Sequence, residues 1–263
     1  MYKRQEQISV SDYVETEHIV NAFNELLGRM RTLDESRQEF VSNVSHELKT
    51  PITSMKALAD SLISQEDVPI ELYKEFMTDI AEEIERENKI ITDLLSLVKM
   101  DKTSANLNIE NRNLNELIEL ILKRLRPIAK QRNIDVLYES AREVFAEIDE
   151  VKLTLAISNL VENAIKYNKE YGYVKVSLDA DHQFATIMVE DNGIGIPEEA
   201  QEHIFERFYR VDKSHSREIG GTGLGLAIAR NAILLHRGSI KIDSEEGQGT
   251  VFTVKIPIIY VSK

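Results

Sequence analysis

The sequence predicts two structural parts in one chain: an all-α helical hairpin, then an α+β sandwich in which helices cover one face of a single sheet. Three observations support this fold class. The 263 residues are enough for two ordinary domains. Apolar residues recur every three or four positions over two long segments of the first third. Beyond residue 109, helical patterns mix with short alternating segments that are typical of antiparallel strands.

Composition excludes several classes of protein. Hydrophobic residues make up 42% of the chain, so a core can be buried, and the absence of cysteine excludes disulfides and cysteine-ligated metals. The net charge of −13 argues against nucleic acid as the main ligand, because phosphate backbones attract clustered lysine and arginine. No apolar run approaches the roughly 18 residues that span a bilayer, and the first ten residues do not resemble a signal peptide. We therefore expect any membrane anchor to lie upstream.

The first predicted helix is unusually long. Apolar residues recur at intervals of three and four over residues 17–33, and the pattern continues to Leu62 without a turn signal. Ser64–Pro69 interrupts it, and a second apolar stripe follows over residues 72–98. Two antiparallel helices cannot bury both stripes alone, so a homodimeric four-helix bundle is the economical arrangement. A simple hairpin packed on the second domain is the alternative.

The second part alternates between helices and strands. It follows a small, polar linker at residues 103–109. Helices are predicted over residues 113–128, 150–168 and 226–236. Strands are predicted over residues 134–139, 173–178, 184–190, 239–243 and 250–256.

A group of reactive side chains lies inside the first helix. Glu47 follows His46 and can accept a proton from its ring, which raises the nucleophilicity of the ring. Thr50 lies one turn further on the same face. Pro51 removes the hydrogen bond to the carbonyl of Glu47 and favours a bend. A solvated helix face would explain His46 alone, but its neighbours favour a reactive histidine.

Two segments of the second part carry groups suited to a nucleotide. Asn159 and Asn163 share a helical face, and amide oxygens suit Mg²⁺ that also holds triphosphate oxygens. Lys166 can neutralise phosphate charge. In the segment DNGIGIP, Asp191 could accept a hydrogen bond from the exocyclic amine of adenine, and its two glycines let the backbone approach the base. A polar helix face and a plain turn would give the same patterns.

Two later segments could contact phosphates. Arg207 and Arg210 are three positions apart and can reach phosphate oxygens, although an amphipathic helix explains the same spacing. The segment GGTGLGL precedes a predicted helix, so its backbone N–H groups could face an anion. Taken alone this second signal is weak, because it matches neither the Walker pattern nor the dinucleotide fingerprint.

Together these motifs resemble those of one enzyme family. Residues 40–55, FVSNVSHELKTPITSM, resemble the H-box of histidine kinases, and the four later segments resemble, in order, the N, G1, F and G2 boxes of their ATPase domain. The resemblance covers residues from about 34 to 258. It implies a dimeric phosphotransfer bundle and a Bergerat-type (GHKL) sandwich, the fold shared with gyrase, MutL and heat-shock chaperone ATPases.

The resemblance also implies roles for individual residues. His46 would be the phosphoacceptor, Glu47 the proton acceptor, and Thr50 the residue that positions water when the bundle dephosphorylates its partner. Asn163 would be the principal Mg²⁺ ligand, assisted by Asn159. Around the nucleotide, the resemblance implies Asp191 on the adenine supported by Thr250, a mobile lid over residues 198–222, and further contacts from Lys166, Tyr167, Gly193, Gly195, Ile196, Arg207, Arg210, Gly221, Thr222, Gly223, Leu224, Gly225 and Leu226.

The implied domains are four. Residues 1–33 resemble part of a HAMP signalling domain, on the helix Glu17–Arg31. Residues 34–102 would form the dimerisation and phosphotransfer hairpin, residues 103–109 a linker, and residues 110–260 the catalytic ATP-binding domain.

The implied function is that of a sensor histidine kinase. It would use ATP and Mg²⁺ to phosphorylate His46, pass the phosphoryl group to an aspartate of a response regulator, and act as a phosphatase toward that regulator. The chain would be the cytoplasmic portion of a bacterial membrane sensor. The alternatives are a clamp-type Bergerat ATPase that uses Glu162, a scaffold that only binds ATP, and a protein that acts mainly as a phosphatase through Thr50.

Overall fold

The computed structural model describes residues 14–64, 68–102, 107–211 and 221–261. The chain divides into two compact units between Met77 and Thr78. Some expectations lie outside the described residues: those for the first 13 residues, for 65–67 in the helix connection, for 103–106 of the linker and for 212–220 of the lid. Among the residues that are described, no helix is both long and apolar enough to cross a membrane.

The first unit is helical, as predicted. Helix α1 spans Val14–Ile63, 50 residues without interruption, and contains Pro51. Helix α2 spans Ile70–Lys102 and begins in the first unit. One apolar stripe along the first half of α1 is exposed, and its large side chains are Ile19, Phe23, Leu26, Met30 and Leu33.

The end of α2 belongs to the second unit. Ile90, Leu97 and Met100 are buried, and the last two lie in the hydrophobic core of the sandwich. The remaining elements are β1 (Glu110–Asn113), α3 (Leu114–Gln131), β2 (Asp135–Ser140), β3 (Phe145–Ile148), α4 (Glu150–Lys166), β4 (Tyr173–Ala180), β5 (Phe184–Asp191), α5 (Glu198–Gln201), α6 (Gly225–Leu235), β6 (Ser239–Glu245) and β7 (Gly249–Pro257).

The predicted α+β sandwich is confirmed. Five strands form one sheet in the order β2-β4-β5-β7-β6. Residues at every second position of β4, β5 and β7 are buried, which places the core on one face of the sheet. The sequence did not predict two features: β2 pairs with β4 in parallel, and β1 pairs with β3 as a separate two-stranded sheet.

Helix α4 is fixed at its first turn by a buried polar cluster. The carboxylate of Asp149 accepts hydrogen bonds from the backbone N–H groups of Lys152 (3.1 Å) and Asn108 (3.1 Å), so it caps the helix. The backbone N–H of Asp149 donates to Nε2 of His236, 2.9 Å away. Burial lowers the pKa of His236, so the neutral ring needed to accept this bond is favoured. This cluster holds the helix that carries the two asparagines.

Candidate active site

A cavity of about 490 Å³ lies between α2, α4, one end of the sheet and the glycine-rich segment before α6. It brings together most of the candidate nucleotide residues from separate parts of the second unit. The candidates that line it are Asn159, Asn163, Lys166, Tyr167, Asp191, Gly195, Ile196, Arg210, Gly221, Thr222, Gly223, Gly225, Leu226 and Thr250. Three other candidates, Gly193, Arg207 and Leu224, do not line it.

The wall of the cavity at the sheet is built by one row of paired residues. Asp191 of β5 lies opposite Thr250 of β7, and Thr250 lies opposite Ser244 of β6. The hydroxyls of Ser244 and Thr250 are 2.9 Å apart, and the backbone N–H of Ile196 donates to the Ser244 hydroxyl. Asp191 is therefore held at the edge of a hydrogen-bonded row, with its carboxylate facing the cavity.

The carboxylate of Asp191 is nearly inaccessible to solvent, with 9% of the residue exposed. Burial raises its pKa to about 6, although backbone N–H groups of Gly193 and Thr250 donate to it and oppose the shift. The bond from Gly193 is 2.8 Å long and fixes one carboxylate oxygen. A buried acceptor of this kind suits an exocyclic amine of a planar base.

The two glycines after Asp191 are required by close contacts. A Cβ on Gly193 would lie 2.3 Å from the carbonyl oxygen of Tyr167. Gly195 has φ +68°, and a Cβ there would lie 2.0 Å from the carbonyl oxygen of Glu245. Although Gly193 does not line the cavity, its backbone positions Asp191.

Helix α4 presents the two asparagines to the cavity. The side-chain amide of Asn159 donates to the carbonyl of Leu155 at 3.0 Å, which fixes its orientation. Its oxygen lies beside Gly225, where an added Cβ would be only 3.0 Å away. Among the described residues, no three acidic or histidine side chains come together as a metal site. Amide oxygens such as those of Asn159 and Asn163 suit Mg²⁺ that also contacts the oxygens of a bound nucleotide.

Positive charge gathers at the other end of α4. Burial, together with repulsion from Lys89, Arg210, Arg132 and Arg86, lowers the pKa of Lys166 to about 8. The ammonium of Lys166 lies 5.3 Å from the ring centre of Tyr167. Both side chains border Gly221, where a Cβ would meet the Lys166 ammonium at 2.7 Å. This end of the cavity suits a polyanion.

The segment with the two arginines is not a continuous helix. After α5, residues 202–208 form turns, and Phe208 has φ +65°. The backbone N–H of Phe208 donates to the carbonyl of Gly223 at 2.9 Å, and Phe205 packs edge-on to Phe252 of β7. The two phenylalanines therefore connect this segment to the glycine-rich segment and to the sheet. Arg207 is partly buried.

Sequence reasoning missed the contribution of α2 to this cavity. Lys89 and Asp93 both line it. The ammonium of Lys89 lies 2.8 Å from the carboxylate of Glu162, and the hydroxyl of Thr222 donates to Asp93 at 2.9 Å. A lysine and an aspartate four positions apart on a helix are typical of a solvated face, so only the fold identifies them.

The candidate acceptor lies in the first unit, on α1. His46 and Thr50 are exposed, and Glu47 is partly buried. The hydroxyl of Thr50 donates to the carbonyl of His46 at 3.1 Å. Pro51 directly follows Thr50 within α1. The ring of His46 is thus open to a reaction partner.

Comparison with known proteins identifies the family. Residues 36–103 match the model of the His Kinase A (phospho-acceptor) domain, and residues 148–259 match that of the histidine kinase-, DNA gyrase B- and HSP90-like ATPase. The chain is 38% identical over 228 residues to the sensor histidine kinase WalK of Bacillus subtilis, covering 86% of this chain and 37% of WalK. It therefore spans little more than a third of that relative.

Solved structures agree. The catalytic domain of the histidine kinase ThkA is 32% identical and superposes with a TM-score of 0.52, covering 58% of this chain and 97% of that domain. ThkA in complex with the response regulator TrrA is 27% identical with a TM-score of 0.70, covering 95% of this chain and 69% of that one. The fold and site define a phosphoacceptor hairpin joined to a GHKL-type ATP-binding domain. The chain belongs to the sensor histidine kinases of two-component systems.

Proposed function

We propose that this chain uses ATP to phosphorylate His46 and then donates the phosphoryl group to an aspartate of a response regulator. The observation that carries the proposal is the combination, in one chain, of an exposed histidine within a phosphoacceptor domain and a cavity suited to ATP. The ThkA–TrrA complex supports a response regulator as the partner, because that relative binds one.

The cavity suggests how ATP lies. The exocyclic amine of adenine donates to Asp191, at the end lined by the sheet. The triphosphate extends toward Lys166 and the start of α6, whose first residues have no side-chain cap and so can donate N–H groups to phosphate oxygens. Asn163, assisted by Asn159, would hold Mg²⁺ together with the bound nucleotide, and the ion would supply neutralisation of charge on the triphosphate.

The reaction is an in-line phosphoryl transfer. A ring nitrogen of His46 attacks the γ-phosphorus, the bond from that phosphorus to the β–γ bridging oxygen breaks, and ADP leaves. Glu47 accepts the proton that the ring loses. The resulting phosphoramidate transfers its phosphoryl group to a carboxylate oxygen of the regulator, which restores neutral His46 once the ring takes up a proton.

A second copy of the chain covers the exposed apolar stripes in this proposal. Besides the stripe on α1, α2 exposes Ile84, Ile91, Leu95 and Val98 at intervals of seven, four and three, the spacing of a helical-bundle seam. The homodimeric four-helix bundle of residues 34–102 buries the stripe on α2, and the stripe on α1 packs against that of the second copy ahead of the bundle. Residues before the bundle act as the end of a HAMP-like signalling helix, and the whole protein is a bacterial membrane sensor whose cytoplasmic portion includes this chain.

The test is incubation with γ-labelled ATP and Mg²⁺, followed by acid and base treatment. We expect label that is lost in acid, survives base, and is absent from the His46→Gln variant. His18→Gln is the matched control, because His18 is also exposed on α1. Asn163→Asp should abolish labelling through loss of metal-bound nucleotide. Label that persists in His46→Gln, or that resists acid, would assign the acceptor elsewhere.

Phosphatase activity toward the regulator is a second function, favoured by the exposed Thr50 one turn from His46. Thr50→Ala should keep autophosphorylation and slow the loss of phosphate from a phosphorylated regulator. Equal rates of loss in both proteins would reject it. The clamp-type ATPase is disfavoured, because it gives no role to the exposed His46 within the phosphoacceptor domain.

A further inference from the structure

The last turns of α2 are part of the nucleotide-binding unit. Ile90 and Leu97 are 1% and 0% exposed, and Leu97 lies in the same hydrophobic core as α4 and the sheet. Packing of these two side chains therefore fixes the polar residues beside and between them, Lys89 and Asp93, against the cavity. Lys89 directly precedes Ile90 and lines that cavity.

Lys89 has only a weak partner in this arrangement. Its ammonium lies 2.8 Å from the carboxylate of Glu162, but about half of the Lys89 side chain and over a third of that of Glu162 are exposed. Exposed ion pairs of this kind are screened by water and readily exchanged. A polyphosphate carries more negative charge than one carboxylate, so it would compete for the lysine.

The charged residues around Lys89 also favour binding of an anion in the cavity. Lys89 and Lys166 line the same cavity. Of the charged groups that lower the pKa of Lys166, Lys89 acts most strongly, after the effect of burial. The nearby acids are already engaged: Asp93 accepts the hydrogen bond from Thr222, and Glu162 pairs with Lys89 itself. Two ammonium groups that repel each other across a cavity are stabilised by an anion that contacts both.

We propose that Lys89 of α2 is a ligand of the terminal phosphates of ATP and, together with Lys166, holds the phosphate chain between the hairpin helix and the catalytic domain. This inference rests on the proposed function, because it takes ATP as the occupant of the cavity. It adds a residue from outside the ATPase motifs to the binding site. It also makes nucleotide affinity depend on whether α2 is packed against the cavity.

The test compares nucleotides of different phosphate length on the full chain. Dissociation constants for the non-hydrolysable triphosphate AMP-PNP and for AMP are measured by titration calorimetry with Mg²⁺ for wild type, Lys89→Ala and Lys89→Arg. We expect Lys89→Ala to weaken AMP-PNP binding about 5- to 20-fold and AMP binding less than twofold. Lys89→Arg should retain affinity within about threefold. Lys241→Ala, which removes an exposed lysine on β6, should change neither.

The remaining outcomes distinguish a wrong assignment of Lys89 from a wrong proposed function. AMP-PNP affinity in Lys89→Ala that equals or exceeds that of wild type overturns the contact, as does an equal loss of AMP-PNP and AMP affinity, which would indicate a purely structural role. Absence of AMP-PNP binding to the wild-type chain would instead reject the proposed function. The two failures are thereby distinguished.

Discussion

The hydroxyl of Thr222 donates a hydrogen bond of 2.9 Å to the carboxylate of Asp93, 129 residues earlier in the chain. Both residues are buried, with 8% and 7% exposed. The same hydroxyl accepts a hydrogen bond from the backbone N–H of Leu224, at the start of α6. A single side chain thus connects α2 to the glycine-rich segment that borders the candidate phosphate site.

Loss of this hydroxyl should destabilise the second unit. Thr222→Val keeps the shape of the side chain but leaves the buried carboxylate of Asp93 without its donor. We expect the free energy of unfolding to fall by about 1–3 kcal/mol, measured by urea denaturation. Thr92→Val, on the exposed side of α2, is the control and should stay within about 0.5 kcal/mol of wild type. A loss below about 0.5 kcal/mol in Thr222→Val would mean that the bond does not stabilise the fold.

The Asp191→Asn variant should be more stable than wild type but bind nucleotide more weakly. Burial raises the pKa of Asp191 to about 6 from 3.8, so folding disfavours its ionised form. The neutral amide avoids that penalty, and we expect the variant to be more stable than wild type by about 1–3 kcal/mol at pH 7.5. Nucleotide affinity should fall at least about tenfold, because a charge-assisted hydrogen bond to adenine is lost.

The pH dependence of that difference is a further check. The folded wild type takes up a proton more readily than the unfolded chain, so its stability relative to Asp191→Asn rises as pH falls through about 6. The difference should disappear below about pH 3, where the carboxyl is neutral in both states. A difference that stays constant between pH 4 and 7.5 would contradict the raised pKa.

Nucleotide binding should weaken in alkaline solution because of Lys166. Its pKa is lowered to about 8 in the free protein, whereas a bound triphosphate favours the charged form. Binding should therefore take up a proton, and AMP-PNP affinity should fall up to about tenfold per pH unit above pH 8. Calorimetry in buffers of different ionisation enthalpy measures both the proton uptake on binding and the affinity for AMP-PNP. Lys166→Arg stays charged and should show a much flatter profile; a slope equal to that of wild type would assign the titration to another group.

Gly195 and Gly247 form a matched pair, because both have positive φ. Gly247→Ala adds a Cβ with nothing within 4 Å, so its cost should be near the roughly 1–2 kcal/mol of a left-handed residue. Gly195→Ala places a Cβ 2.0 Å from the carbonyl oxygen of Glu245, so the cavity wall must shift. We expect Gly195→Ala to lose more stability than Gly247→Ala. Only Gly195→Ala should also bind nucleotide more weakly. Equal decreases in the midpoint temperature of thermal unfolding for the two variants would show that the cavity wall can accommodate the added Cβ at little cost.

Periodicity made the larger elements predictable. The helices α1, α2, α3, α4 and α6 and the five strands of the main sheet each carry a clear repeat of apolar residues. Strands β1 and β3 have only four residues each, and Glu110–Asn113 is entirely polar, so no alternation could indicate them. The parallel pairing of β2 with β4 depends on where α4 returns the chain, which local patterns do not encode.

The same distinction applies to the site. Asp191 and the glycines after it are informative in sequence, because a buried acid at a strand end and close backbone contacts restrict residue type locally. Lys89 and Asp93 enter the cavity through packing between residues far apart in the chain. Ser244 becomes visible only through its register with Thr250. Sequence could therefore predict the motifs of the cavity wall but not the side that α2 supplies.

The participation of α2 in the core of the second unit affects how parts of such proteins can be exchanged. Leu97 and Met100 of α2 supply apolar surface to the hydrophobic core of the sandwich. A chimaera that joins a foreign hairpin to this catalytic domain at the 103–109 linker would replace two of its core side chains. A fusion joint on the N-terminal side of Lys89 would instead retain those two side chains in their native packing. It would also retain the polar residues of α2 that face the cavity.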